Sequence, residues 1–372
     1  MEMVKRNMKT LKAASLELGL SYSQAKRIYQ RYLNGGDQAL IHGNTGKPSN
    51  NKSDETSLAK AVTLYREKYC DFGPTLAQET LCEREGIEIS VSTLRRALVA
   101  SGLWERKKKR GEYRSRRTPK ARFGELVQFD GSHHDWFEGR GPLCCLITMI
   151  DDATKVRLSL FFDAETMFGV MTVLKLWIQR YGIPESLYCD KKNAFVLTRE
   201  ASDAEILAGI LKPKSHFGKA CDRLGIEVIA AHSPQAKGRV ERNHGVDQDR
   251  LVKALRLEGI STIERANTFL LETYLPKMNR KFSRPAESGE DAHVKAGKVK
   301  LDDILCMEFD RRISKDYIVR FQTRLFQILK ANKPLPRTED KVLVRVTLDN
   351  SVHILWKDKP LLVKEIPTMF DE

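Results

Sequence analysis

The sequence of 372 residues lacks the features that mark secreted, disulfide-stabilised or membrane-spanning proteins. Its seven cysteines form no CxxC pair and no spaced set with histidine, which predicts neither a zinc site nor a disulfide framework. No stretch of about 18 apolar residues and no signal-peptide pattern occurs, so we expect a soluble cytoplasmic protein without a membrane partner. Acidic residues are fewer than basic residues, and the resulting net charge of +15 predicts binding to a polyanion.

Positive charge is concentrated in the first third of the chain. Residues 1–120 hold 24 Lys and Arg against 13 Asp and Glu, and residues 105–122 hold ten Lys and Arg with two Glu. We predict that this basic linker, residues 105–122, lies extended along phosphates or becomes ordered only on nucleic acid. A merely solvated basic surface is the alternative, which the clustering weakens. The linker residues expected to contact phosphates include Lys107, Lys108, Lys109 and Arg110.

Two small helical units precede the basic linker, over residues 1–50 and 51–104. In the first, a helix over 10–18, a turn at Gly19 and a helix over 22–33 have the spacing of a helix-turn-helix, with Ser21 as N-cap. In the second, a helix over 91–101 is the other candidate recognition helix. A generic helical hairpin is the alternative for both. The residues suited to base edges and phosphates are Gln24, Lys26, Arg27, Arg31, Arg95 and Arg96.

Three carboxylates stand in distinctive local contexts. Asp130 ends the apolar segment 125–130, which predicts a buried strand, and Asp190 follows a second short strand over 186–189. Glu241 opens a long helical pattern. A carboxylate at the end of a buried strand is costly unless a metal or a cation lies beside it. A shared site is therefore favoured over three isolated turn or surface acids.

Two aspartates on strands and one glutamate on a helix supply hard oxygen ligands, which suit Mg²⁺ or Mn²⁺. Two such ions about 3.5–4 Å apart can activate an attacking oxygen and stabilise the leaving one during in-line displacement at phosphorus. The predicted chemistry is cleavage or transfer of phosphodiesters.

The segments around these acids predict an α/β domain over residues 123–285. Its elements are a mixed five-stranded sheet, which includes strands over 143–150, 156–162 and 227–230, and helices over 166–181 and 263–278. We interpret Asp151 and Asp152, between two of the strands, as turn formers rather than metal ligands.

Residues 298–372 predict a small β-barrel. Strands are expected over 317–321, 325–329, 341–348 and 352–356, separated by polar turns. The arginines of this region are compatible with DNA contact, and a capping domain without DNA contact is the alternative. The whole chain is thus predicted to be multidomain, with all-α modules, a central α/β core and a small β-barrel.

Four motifs resemble those of bacterial insertion-sequence transposases of the ISNCY group, members of the integrase-core, ribonuclease-H-like superfamily. They are VQFDGSHHDW at 127–136, IDDAT at 150–154, SPQAKGRVER at 233–242 and GISTIE at 259–264. The resemblance covers nearly the whole chain and implies a DDE recombinase with Asp130, Asp190 and Glu241 as catalytic and metal-binding acids, holding two Mg²⁺ or Mn²⁺ ions. It also implies double-stranded DNA partners, namely terminal inverted repeats and target DNA, and a homo-oligomer assembled on DNA in the bacterial nucleoid.

The site departs from the retroviral integrase pattern in two ways. Residues 191–240, fifty in number, separate the second acid from the third, a longer gap than retroviral integrases have. Directly after Asp190, Lys191-Lys192 stands where the integrase pattern has Asn-Gly. The basic residues around the third acid are predicted to neutralise DNA phosphates; they are Lys237, Arg239 and Arg242. Two histidines, His244 and His134, are candidate accessory residues.

Two other functions fit the same sequence. One is a DNA-binding repressor derived from a catalytically inactive transposase. The other is a ribonuclease-H-like nuclease that cuts DNA without strand transfer. A strand-transfer assay with a labelled DNA end separates all three.

Overall fold

The computed structural model describes residues 1–42, 45–46, 54–106, 117–190, 200, 213–230 and 238–367. The chain divides into two compact units, Met1–Gly111 and Glu112–Glu372. None of the helices in the described ranges is long and apolar enough to cross a membrane. Five predicted phosphate contacts lie outside the described residues, namely Lys107, Lys108, Lys109, Arg110 and Lys237.

The first unit begins with three helices, α1 (Glu2–Lys5), α2 (Leu11–Glu17) and α3 (Tyr22–Gly35), followed by a 3₁₀ turn over Asp37–Leu40. The Ser21 hydroxyl accepts the backbone N–H of Gln24 at 3.2 Å, which confirms the predicted N-cap of α3. Buried apolar side chains from all three helices include Val4, Ala14 and Ala25. The single-turn α1 thus gives the helix pair its supporting contact.

Three further helices complete the first unit, α4 (Glu55–Lys68), α5 (Pro74–Glu85) and α6 (Val91–Ala100). Ser90 caps α6 by accepting the Thr93 N–H at 3.1 Å. Pro occupies the first turn of α5, where its missing N–H costs no helical hydrogen bond. The fully buried core of these helices contains Tyr65, Leu81, Leu94 and Leu98.

The second unit is built on a mixed five-stranded sheet, as predicted. Its strands are β1 (Val127–His134), β2 (Cys144–Asp151), β3 (Arg157–Phe162), β4 (Ser186–Cys189) and β5 (Glu227–Ala230), in the spatial order β3-β2-β1-β4-β5. β1, β2 and β3 are antiparallel, whereas β4 is parallel to both β1 and β5. Every residue of β2 is buried, which fits a central strand covered on both faces.

Five helices of the described ranges accompany this sheet. They are α7 (Met167–Tyr181), α8 (His216–Leu224), α9 (Gly238–Leu257), α10 (Ile263–Phe269) and α11 (Leu275–Phe282). A shared hydrophobic core, including Trp136, Phe161, Trp177 and Leu255, packs α7 and α9 against the strands.

A π-helical turn, Leu270–Tyr274, interrupts the single helix that the sequence predicts over 263–278. Leu275 donates its N–H to the Leu270 carbonyl, five residues back, and Pro276 follows without an N–H of its own. Because proline cannot form the regular bond to the carbonyl four residues earlier, the helix changes register at this point. The sequence shows the proline but not which register replaces the α-helical one.

The carboxyl-terminal region contains a short helix, α12 (Leu301–Ile304), and seven strands. The strands are β6 (Met307–Arg312), β7 (Ile318–Phe321), β8 (Arg324–Ile328), β9 (Lys341–Val346), β10 (Val352–Trp356), β11 (Lys359–Pro360) and β12 (Val363–Ile366). They form two separate antiparallel sheets, β11-β10-β9-β6 and β12-β8-β7, over a common apolar cluster. The predicted closed barrel is therefore not confirmed, since neither sheet closes within the described residues.

Strand β6 joins this region to the α/β sheet within the second unit. Glu308 of β6 accepts two hydrogen bonds from the Arg223 guanidinium of α8, at 3.0 and 2.6 Å, and a third from Arg345 at 3.1 Å. Burial raises the pKa of Glu308, but the two guanidiniums outweigh burial and the net shift is downward. A largely buried, charged contact therefore fixes β6 to α8.

Candidate active site

Asp130 lies in β1, and Asp190 directly follows β4, the parallel neighbour of β1. The parallel pairing of β1 with β4 matches Val127 to Leu187 and Gln128 to Tyr188, an offset of 60 positions. These pairs lie three and two residues before Asp130 and Asp190. Matched residues of parallel strands point to the same face. Both aspartates are half-buried.

Helix α9 crosses the face of β1 that carries Asp130. Because successive side chains of a strand point to opposite faces, Gln128, Asp130 and Ser132 share one face of β1. Near the start of α9, Arg239 Nε lies 2.5 Å from Asp152 Oδ1, which also accepts Gln128 Nε2 at 2.9 Å. Further along, Gln248 Nε2 donates to Ser132 Oγ at 3.2 Å. These two contacts bracket Asp130, so the helix segment that contains Glu241 passes over this face.

Glu241 differs from the two aspartates in its surroundings. It lies in the first turn of α9, and its side chain is exposed. Within the described ranges, no group of three His, Cys, Asp or Glu side chains is close enough to hold a metal ion. Two of the three predicted acids thus lie on β1 and directly after its parallel neighbour β4, while the third stands on the crossing helix. All three offer the carboxylate oxygens that hard divalent cations prefer.

A buried polar network fixes α9 to β3 just after Glu241. Arg157 of β3 donates to Asn243 Oδ1, and its guanidinium lies 3.0 Å from Asp247 Oδ1. Asp247 also accepts Asn243 Nδ2 at 2.9 Å and the Tyr274 hydroxyl at 2.8 Å. Arg157, Asp247 and Tyr274 are each at most 4% exposed. Sequence reasoning missed this network, because no local pattern links residue 157 to residues 243–274.

Burial dominates the ionisation of this network. It raises the pKa of Asp247 above its ordinary value, against the opposing effect of the Arg157 charge. It also raises the pKa of Tyr274 well above its ordinary value, and the neighbouring Asp247 carboxylate adds to the shift. The hydroxyl therefore stays protonated and available as a donor to Asp247, which stabilises the middle of α9.

The adjacent acids Asp151 and Asp152 have different roles. Asp151 accepts the backbone N–H and the hydroxyl of Thr154, both at 2.7 Å, and the Gly124 N–H at 2.9 Å, as expected of a turn former. Asp152 is also fully buried, but its contacts reach outside the turn, to Arg239, Gln128 and the segment 117–120. Asp152 lies in the turn over 152–154, as predicted, and its side chain also links that turn to distant parts of the unit.

Cations surround the first turn of α9. Lys155, at the tip of the β2–β3 hairpin, has a lowered pKa because of burial and because of the nearby charges of Arg284, Arg239 and Arg242. Mutual repulsion among four cations favours a bound anion. Glu241 lies within this basic surrounding.

The two histidines occupy unlike positions. His244 is buried on α9, three residues after Glu241 and on the same side of the helix. His134 is exposed at the end of β1, with its ring 5.3 Å from that of Trp136. His134 lies four positions after Asp130 along β1, a distance of about 13 Å, which is too long for two ligands of one ion.

The predicted recognition residues are all exposed on their helices. In α3 these are Gln24, Lys26, Arg27 and Arg31, and in α6 they are Arg95 and Arg96. The buried side chains of these helices are other residues, Ala25 and Tyr32 in α3 and Leu94 and Leu98 in α6. The exposed cations are therefore free of any packing role in the core.

Comparison with known proteins gives two extensive sequence matches. No protein-family model matches the chain. The predicted transposase y4bF of Sinorhizobium fredii is 35% identical over 355 residues, which cover 95% of this chain and 76% of that protein. The transposase for insertion sequence IS1202 of Streptococcus pneumoniae is 30% identical over 404 aligned positions, covering 98% of this chain and 84% of that protein.

Solved structures give weaker matches. The catalytic core domain of BIV integrase is 22% identical, with a TM-score of 0.28 over 46% of this chain and 91% of that one. A chain of the simian T-cell lymphotropic virus intasome is 14% identical, with a TM-score of 0.35 over 83% of this chain and 99% of that one. Such TM-scores are too low to establish a common fold, whereas the two sequence matches extend over nearly the whole chain.

Proposed function

The chain belongs to the transposases of bacterial insertion sequences, and we propose that Asp130, Asp190 and Glu241 are the acids with which it cuts and joins DNA. Its substrates are then the terminal inverted repeats of the element and a target duplex. Water attacks the first phosphodiester and frees a 3′ hydroxyl, which attacks a phosphodiester of the target. In each step one P–O bond forms as another breaks.

The register of β1 and β4 is the observation that carries this proposal. An offset of 60 positions pairs Val127 with Leu187 and Gln128 with Tyr188, three and two residues before the acids, and this supports a position of Asp130 beside Asp190. Two half-buried carboxylates side by side repel each other, and a divalent cation between them relieves that repulsion. Helix α9 passes over the same face of β1, which supports Glu241 as the third acid.

Divalent metal is the expected cofactor, with Mg²⁺ or Mn²⁺ in two positions. Asp130 and Asp190 would hold the metal, and Glu241 would complete its ligands. When bound, the metal would activate the attacking oxygen and neutralise charge on the leaving oxygen. No histidine is required as a general base.

The cations of the chain then bind and orient DNA. Arg239 and Arg242, together with Lys155, would hold phosphates beside the acids, and the basic linker would follow the backbone on the way to α3 and α6. Those two helices would recognise the inverted repeats. We further propose a homo-oligomer on DNA, because two element ends are joined in one reaction, and a location at the nucleoid.

The domain borders follow the same division of tasks. Residues 1–50 and 51–104 would be the two recognition modules, residues 123–285 the ribonuclease-H-like catalytic core and residues 298–372 a β domain that supports assembly on DNA. The basic linker 105–122 would connect recognition to catalysis.

Substitution of each acid tests the proposed site. We expect Asp130→Asn, Asp190→Asn and Glu241→Gln each to abolish Mg²⁺-dependent cleavage of a plasmid that carries the element's ends, while DNA binding persists. Asp249→Asn is the matched control, because Asp249 is an exposed acid on α9 that lies more than two helical turns after Glu241. Wild-type cleavage by any of the three variants removes that residue from the site.

The two alternative functions are not favoured. A repressor without catalysis would bind the ends and leave them uncut, and a nuclease would cut them without joining them to a target. Both matched relatives are transposases by name, which supports the joining activity. A labelled end that is transferred into a second duplex distinguishes transposition from either alternative.

A further inference from the structure

We infer that Asp152 is a positioning residue for DNA cleavage, because one buried carboxylate joins the strand that carries Asp130 to the helix turn that carries Glu241. The inference rests on the proposed roles of those two acids. It concerns how they are held, and it assigns no catalytic role to Asp152 itself.

The contacts of Asp152 reach three separate parts of the second unit. Oδ1 lies 2.5 Å from Arg239 Nε of α9 and 2.5 Å from Arg117 Nη2, and it accepts Gln128 Nε2 of β1 at 2.9 Å. Oδ2 accepts the Lys120 backbone N–H at 2.8 Å. The side chain is fully buried. A carboxylate in such a place holds its partners firmly, because losing them would leave an uncompensated buried charge.

Two of these partners stand two positions before a proposed catalytic acid. Gln128 precedes Asp130 on the same face of β1, about 7 Å away along the strand. Arg239 precedes Glu241 in α9, with a rise of about 3 Å along the helix axis. Asp152 thus fixes the strand and the helix turn through attachment points close to both acids. The buried network of Arg157 and Asp247 fixes the middle of α9 but does not reach this first turn.

The remaining partners belong to the end of the basic linker. Arg117 and the Lys120 backbone contact the same carboxylate that Arg239 contacts. One negative charge facing two guanidiniums leaves an excess of one positive charge, which suits a neighbouring phosphate. The end of the linker and the first turn of α9 are therefore attached to one common side chain.

The adjacent Asp151 provides a matched control. It is equally buried and one residue away, yet its partners are Thr154 and Gly124, which contact neither acid. Asp151→Asn should destabilise the hairpin without altering the arrangement of β1 and α9. A purely structural role for Asp152 would make the two Asp→Asn variants behave alike.

The test measures cleavage kinetics of the full chain on a plasmid that carries the ends flanking its own coding region. For Asp152→Asn we expect kcat to fall about tenfold to a hundredfold, because small misplacements of reacting groups cost that much, while KM for DNA stays within about twofold. Asp151→Asn should lower Tm and leave kcat unchanged. In the double variant Asp152→Asn with Arg239→Lys, kcat should be no lower than in the slower single variant, since the two residues act through one contact.

Several outcomes would overturn the inference. A wild-type kcat for Asp152→Asn does so, as does a loss of kcat that Asp151→Asn reproduces at the same loss of Tm. If Asp152→Asn does not fold, Arg239→Lys carries the test, because it keeps the charge for phosphate but removes the Nε donor, and an unchanged kcat refutes the inference. Asp130→Asn, measured alongside, separates the two proposals. If Asp130→Asn is inactive and Asp152→Asn is fully active, only the positioning role is refuted. If Asp130→Asn cleaves DNA at the wild-type rate, the proposed site is refuted.

Discussion

Replacement of Arg157 by methionine tests whether the buried network stabilises the helix that carries Glu241. Methionine fills most of the volume of the arginine stem but removes the charge that faces Asp247, which is 1% exposed. Loss of one partner of a buried ion pair typically costs about 3–5 kcal/mol, because the other charge stays buried without compensation. That is a large part of the roughly 5–15 kcal/mol that stabilises a typical domain.

The expected cost depends on pH, and the direction follows from Asp247. Burial already raises its pKa, and loss of the opposing Arg157 charge raises the pKa further. An acid whose pKa is higher in the folded state than in the unfolded state destabilises the fold above its unfolded pKa, and the destabilisation diminishes as pH falls and the acid takes up a proton. The variant should therefore lose more stability at pH 8 than at pH 5.

Urea unfolding at both pH values, followed by the fluorescence of the buried Trp136 and Trp177, measures this difference. Arg256→Met is the control, because Arg256 lies on the same helix and pairs with Glu138 at 3.1 Å in a partly exposed position. An exposed pair of this kind contributes about 1 kcal/mol or less. Equal losses for Arg157→Met at the two pH values, or a loss no larger than that of Arg256→Met, would refute the reasoning.

Two further predictions concern the remaining parts of the chain. The guanidinium partners lower the pKa of Glu308, so its contribution to stability is present above the ordinary value of 4.5 and is lost as pH falls through the lowered pKa. Glu308→Gln should therefore lower Tm more at pH 7 than at pH 3, and an equal loss of Tm at the two pH values contradicts the assignment. Arg27→Ala with Arg31→Ala should reduce the slope of log K against log salt by about 0.9 for each phosphate that is no longer neutralised, and a wild-type slope shows that α3 does not hold phosphates.

Local patterns in the sequence were sufficient for much of the second unit. β5 begins and ends at the predicted residues, and α7 begins one residue after its cap at Thr166. These elements are determined by periodicity, caps and turn residues that lie within a few positions of one another. Strand β6 was missed because its six residues are half-buried or exposed and carry little apolar alternation.

The candidate site was predictable in its residue types but not in its geometry. Strand and helix contexts indicated Asp130, Asp190 and Glu241, yet the register that matches β1 to β4 depends on pairing between distant segments. The neighbouring residues Asp151 and Asp152 also show that the sequence does not reveal which distant residues a side chain contacts. Both stand in a turn sequence, and only the positions of Arg117, Gln128 and Arg239 in space make the second of them a link between elements.

The strand order β3-β2-β1-β4-β5 has a consequence for where any ligand binds this sheet. From β1 the chain continues into its antiparallel neighbour β2 and then β3 on one side of the sheet. It then crosses to the parallel strands β4 and β5 on the other side, so the order of the strands reverses between β1 and β4. Crevices in open α/β sheets form at such reversals, outside the carboxyl ends of the parallel strands. Asp190 directly follows the carboxyl end of β4, and the two residue pairs that join β1 to β4 both lie before the level of the acids. The topology of the chain thus predicts a ligand-binding crevice beyond the carboxyl end of β4, where Asp190 follows the strand.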